Sequence, residues 1–102
     1  MYHIVPVPPQ TPVEPTRNCT LSPLGECVLE LDPRISSFTV TYTNQTPSNG
    51  ARVSVLAGTC CHLQINIPPG SVVTKTYNCG HTTKVLFKNE SDNAVVEVLL
   101  NQ

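Results

Sequence analysis

Residues 60–81, Cys-Cys-His-Leu-Gln-Ile-Asn-Ile-Pro-Pro-Gly-Ser-Val-Val-Thr-Lys-Thr-Tyr-Asn-Cys-Gly-His, hold three of the five cysteines and two of the three histidines in the chain. Two extended runs flank Pro68-Pro69-Gly70, where proline fixes φ and glycine supplies a positive φ, so the stretch predicts a β-hairpin. Alternation divides the first run into two faces, with Cys61, Leu63, Ile65 and Ile67 on one and Cys60, His62, Gln64 and Asn66 on the other. In the second run Val73, Lys75, Tyr77 and Cys79 share a face. Folding at the turn returns Cys79 toward Cys60 and Cys61, and either could pair with it. The apolar face of Cys61 favours Cys61–Cys79, which leaves Cys60 as a free thiol or a cross-link to a second chain.

Working outward, the same period-2 pattern recurs. Ser37 to Asn44 sets Phe38, Val40 and Tyr42 against Thr39, Thr41 and Thr43, as expected for an antiparallel sheet with one solvated face. Residues 27–31, 52–57, 84–88 and 94–100 alternate similarly, and Gln45 to Gly50 and Asn89 to Asn93 are turn clusters. The last run places Ala94, Val96, Val98 and Leu100 on one face, and Val95 and Leu99 on the other with Glu97. A second apolar face of this kind suits contact with a partner. No segment has helical periodicity. The chain therefore predicts an all-β fold, a small antiparallel β-sandwich or barrel of about seven strands.

Cys19 and Cys27 enclose the turn chemistry of Ser22-Pro23-Leu24-Gly25, which suits a local disulfide. A chain of 102 residues makes one domain and buries only about 60–65% of its unfolded surface, so such staples matter. An odd cysteine count leaves one thiol over. Disulfides imply an oxidising destination.

Residues 1–17 form a separate unit ahead of the 18–102 domain. Pro6, Pro8, Pro9, Pro12 and Pro15 exclude a helix and favour polyproline II, a rise of about 3.1 Å per residue. Tyr2, Ile4, Val5 and Val7 make the tip apolar, and apolar side chains on an extended proline-rich segment suit a docking arm. Met1-Tyr2-His3-Ile4 has neither the basic nor the apolar region of a signal peptide. No run approaches the roughly 18 apolar residues of a membrane helix.

The net charge is −1, and 13% of residues are charged. The six cations are scattered among acids, which argues against a nucleic-acid partner. A surface covered by Thr, Ser and Asn is weakly protected against association. Cys60, Cys61, His62, Cys79 and His81 are candidate soft-metal ligands, but no C-x₂₋₄-C pair occurs and neighbouring strand residues face opposite ways, so no metal or other cofactor is expected. Asp32 precedes a proline and Asp92 lies in a turn, so neither is placed to orient a histidine base, and no enzymatic activity is expected. Sequons occur at Asn18, Asn44 and Asn89, a number that a chain rich in Asn, Ser and Thr reaches by chance.

A compact β-domain, a proline-rich arm from Tyr2 to Pro15 and no signal sequence together resemble the small cement, or decoration, proteins of tailed-phage capsids. The resemblance is one of architecture. It implies a virion location and a major capsid protein or other virion protein as partner. Tyr2, Ile4, Val5 and Val7 would be buried on a capsid neighbour, with self-association as a homodimer or homotrimer through Val95 and Leu99. The other reading is a secreted, disulfide-stapled module for cell-surface adhesion or binding.

Overall fold

A computed structural model describes residues 16–59 and 61–102. They form eight strands: β1 (Thr16–Leu21), β2 (Glu26–Glu30), β3 (Ser37–Asn44), β4 (Ala51–Ala57), β5 (Cys61–Ile67), β6 (Val72–Asn78), β7 (Lys84–Asn89) and β8 (Val96–Asn101). Two four-stranded antiparallel sheets face each other, in the orders β1-β8-β3-β6 and β2-β7-β4-β5. The all-β sandwich expected from alternation is present. The first strand pairs with the last, the second with the seventh, the third with the sixth and the fourth with the fifth. That pattern is one long antiparallel hairpin rolled up on itself, the jelly-roll arrangement.

One sequence expectation fails here. β5 and β6 are not a hairpin, because they belong to opposite sheets. Pro68 and Pro69 have no N–H to begin a ladder between the two strands. The turn bonds instead to the end of β3. Asn44 N–H donates to Ser71 O at 2.9 Å and Gly70 N–H to Thr46 O at 3.0 Å, so β6 leaves the turn already in register with β3. Gly70 has the expected positive φ of 63°. The hairpin between consecutive strands is β4–β5, closed through Gly58 at φ 57°. A Cβ there would lie 3.0 Å from Thr82 Oγ1.

The eighth strand is β1, which takes in Thr16 and Arg17 from the expected arm and pairs along β8. Its alternation is legible only as Cys19 and Leu21 against Asn18 and Thr20. At an edge, that is enough.

The inward rows fill the space between the sheets. Val40, Tyr42, Val96, Val98 and Leu100 from one sheet meet Val53, Val55, Val85 and Phe87 from the other, and all nine are fully buried. Tyr42 and Phe87 pack edge to face, with ring centroids 6.0 Å apart, a geometry favoured by the ring quadrupoles. Among the described residues no helix is long and apolar enough to cross a membrane.

Candidate functional site

The two flanks of the sandwich differ. At one, the edge strands β1 and β2 are joined by the Cys19–Cys27 disulfide, with Cα atoms 6.7 Å apart. The bond links one sheet to the other, and Leu21 beneath it is fully buried. The local pairing expected from sequence thus becomes an inter-sheet staple. At the other flank, edge strands β5 and β6 diverge around a groove of about 630 Å³ lined by Leu63, Ile65, Pro68, Val73, Lys75 and Tyr77, among others. Leu63 is opposite Val55 in the ladder and so belongs to the inward row, yet it is 37% exposed. Val73 is opposite buried Tyr42 and only half covered.

Lys75 gives this groove its electrostatics. It is opposite Val40, in an inward row, but it is exposed. Arg17 on β1 shares that row through Leu100. Both edges of the first sheet therefore carry an inward-register cation, which discourages pairing with another sheet edge. The groove is suited to an apolar segment lying between the sheets with an acidic group near Lys75, and less suited to an added strand.

Beneath the groove, Tyr42 and Tyr77 share a buried hydroxyl–hydroxyl hydrogen bond of 2.8 Å. Phe38 packs on the Tyr77 ring at 5.2 Å. Burial pushes the Tyr77 hydroxyl up to about 12. Burial also raises Tyr42, with the hydrogen bond to Tyr77 adding to it. The Cys61 thiol is close enough to couple electrostatically with both hydroxyls, and burial raises its own pKa. A protonated, buried thiol is a poor nucleophile.

The cysteine assignment changes accordingly. Cys61 is a free, buried thiol, so the favoured Cys61–Cys79 pair does not form. Alternation does turn Cys61 inward, as expected, but β5 and β6 lie in different sheets and the inward direction leads to the tyrosine hydroxyls. Cys79 is buried and disulfide-bonded. Its Sγ lies 2.9 Å from Thr82 Oγ1 and 3.4 Å from Ala57 O. Cys60 and the arm residues Tyr2, Ile4, Val5 and Val7 lie outside the described residues. His62 stands on the outer face of β5 and His81 in the β6–β7 connection at φ 61°, both exposed. Among the described residues no three His, Cys, Asp or Glu side chains converge.

Leu99 is half-buried on the outer face of β8, between Asn18 and Thr41 in register. Val95 precedes that strand, and its backbone bonds to Gln45 N–H and Thr46 Oγ1. The side chains around Leu99 are largely hydroxyls, with Thr39 facing Thr76 at 3.1 Å and Thr41 facing Thr74 at 3.3 Å.

Two residues matter more than their sequence context suggested. Asn44 and Asn89 are buried, although each begins a sequon. Asn44 Nδ2 donates to Asn49 O, Ile67 O and Pro68 O, and its Oδ1 accepts Thr46 N–H. Asn89 does the same for the β1–β2 and β7–β8 loops at the same end of the sandwich, donating to Leu21 O, Ser22 O and Ala94 O while accepting Ser91 N–H. Each acceptor bond is to the residue two positions on, a local Asx turn that the Asn-x-Thr/Ser spacing could have signalled. Among the sequons, exposed Asn18 is the one a modifying enzyme can reach in the folded domain.

No family model matches the chain, and no curated protein matches it.

Proposed function

We propose that this protein is a structural virion protein of the cement or decoration type, a jelly-roll body that attaches to a capsid by its N-terminal arm. The observation that carries the proposal is where the arm joins the body. Residues 1–15, proline-rich and apolar at Tyr2, Ile4, Val5 and Val7, run directly into β1, an outer strand of its sheet. A segment leaving from an edge can reach a neighbour without crossing its own sandwich, and fifteen polyproline II residues span roughly 45 Å. The step from jelly roll to capsid is an analogy of fold, because the same architecture serves lectins and cupins. The partner class is a major capsid protein or another virion protein. Deleting residues 1–15 is expected to leave thermal unfolding of the body unchanged and to abolish its co-sedimentation with capsids. Full capsid occupancy by the deleted protein would overturn the arm's role.

The disulfides favour a second reading, a secreted adhesion or binding module. Cys19–Cys27 and the bonded state of Cys79 fit an oxidising compartment. Recovery of the protein from washed cell surfaces, with none in purified particles, would select this reading.

A further inference from the structure

The outer face of the β2-β7-β4-β5 sheet carries a pattern that neither the arm nor the groove uses. In register across it, Val28 lies opposite Leu86, and Leu86 opposite Leu56. Val28 is 54% exposed and Leu56 41%, so one row of the sheet presents apolar side chains to solvent. Charges flank this row in two columns. β2 carries Glu26 and Glu30, and neighbouring β7 carries Lys88 and Lys84 directly opposite them. All four are on the outer face by alternation. None takes part in the one ion pair found among the described residues, Arg34–Asp32.

We infer that this face docks onto a second copy of the chain about a two-fold axis that runs parallel to the strands, between β2 and β7. The charges select this axis over the alternatives. A two-fold axis perpendicular to the strands, along the apolar row, would set Glu26 on the partner's Glu30 and Lys84 on the partner's Lys88. An axis through the sheet centre, between β7 and β4, would set Glu26 on the partner's Gln64 and Lys88 on the partner's Ser54, leaving the four charges with no opposite charge across the interface. The axis between β2 and β7 places each copy's β2 over the other's β7 without changing rows. Glu26 then meets the partner's Lys88, Glu30 meets the partner's Lys84, and Val28 sits on the partner's Leu86, with Leu56 one strand outside the overlap. Sheets stack about 10 Å apart, a gap that extended glutamate and lysine side chains span together. The contact is self-complementary, as a two-fold interface requires.

The overlap is two strands wide, about 4.8 Å between their axes, and falls well below the roughly 1,200 Å² of a stable protein–protein interface. The dimer is therefore weak and weakened by salt. It strengthens where something else, such as a shared surface, raises the local concentration.

Charge reversal tests the pairing directly. Glu26→Lys/Glu30→Lys makes both columns basic, and Lys84→Glu/Lys88→Glu makes both acidic. Sedimentation equilibrium at low salt is expected to show self-association of the parent, loss of it in each variant alone, and its return as a heterodimer on mixing the two one to one. Circular dichroism and thermal unfolding of each variant check that its outer-face substitutions leave the fold intact. A parent that stays monomeric at every concentration, variants that associate as the parent does, or a mixture that stays monomeric would each overturn the inference. Because the four substituted residues all lie outside residues 1–15, the charge-reversal test and the arm deletion can fail separately.

Discussion

The two flanks of this sandwich are built from the same kind of edge strand and have opposite characters. Where β1 meets β2, a disulfide crosses between the sheets and Leu21 is sealed beneath it. Where β5 meets β6, Leu63 is still partly exposed although its register is inward, and Lys75 occupies an inward position with its side chain in solvent. The closed flank contributes to stability and the open one leaves a groove between the sheets. A domain this small needs the first in order to tolerate the second.

That contrast can be broken most sharply by trimming one leucine on each side. Leu21→Ala removes a fully buried side chain and is expected to cost about 2–5 kcal/mol. Leu63→Ala, at the open mouth, is expected to cost less than about 1 kcal/mol. Urea denaturation measures both, and equal losses would mean that the open flank is as much a part of the core as the closed one.

Replacing the staple, Cys19→Ser with Cys27→Ser, is expected to cost about 2–3 kcal/mol on loop-closure grounds. At this chain length each kcal/mol shifts Tm by about 4–8 °C. Calorimetry of the double variant should therefore show a drop of roughly 10–20 °C with the native sheet content retained. A drop of a degree or two would show that β1 and β2 are held by packing alone.

The smallest effect belongs to the tyrosine pair under the open flank. Below pH 10 both hydroxyls are protonated in the folded and unfolded chains. Above it an unfolded tyrosine ionises, while Tyr77 in the folded protein keeps its proton to about 12. The unfolded state then binds fewer protons, so stability falls as pH rises from 10 toward 12. Urea midpoints on either side of pH 10 should show the fall. Tyr77→Phe should reduce it to the share that Tyr42 contributes, and Tyr42→Phe with Tyr77→Phe should flatten it. An equal fall in the parent and the double variant would place the alkaline sensitivity elsewhere.

Much of the core was legible from alternation, because a strand with one wet face must place its apolar residues two apart. Phe38, Val40 and Tyr42 are buried as that rule requires, and so are Ala94, Val96, Val98 and Leu100. The groove was not legible. Nothing in Leu63 or Val73 marks them as partly open, since their exposure follows from β5 and β6 being edges of different sheets. β1 was missed because Arg17 and Cys19 dilute its apolar face, and its pairing along β8 comes from the far end of the chain.

By itself, the sequence determined the all-β class, the face on which most strand residues lie, and the one disulfide whose partners are near neighbours in the chain. These are local quantities, governed by the two-residue period of the strand and by a short loop. Tertiary structure alone decided the remainder. It set β5 and β6 in opposite sheets, left Cys61 as a free thiol beside two tyrosine hydroxyls, buried Asn44 and Asn89 as loop ties, and brought an acidic column beside a basic one. Alternation tells a side chain which way to face and says nothing about which strand will lie alongside. That choice is made by contacts between residues far apart in the chain.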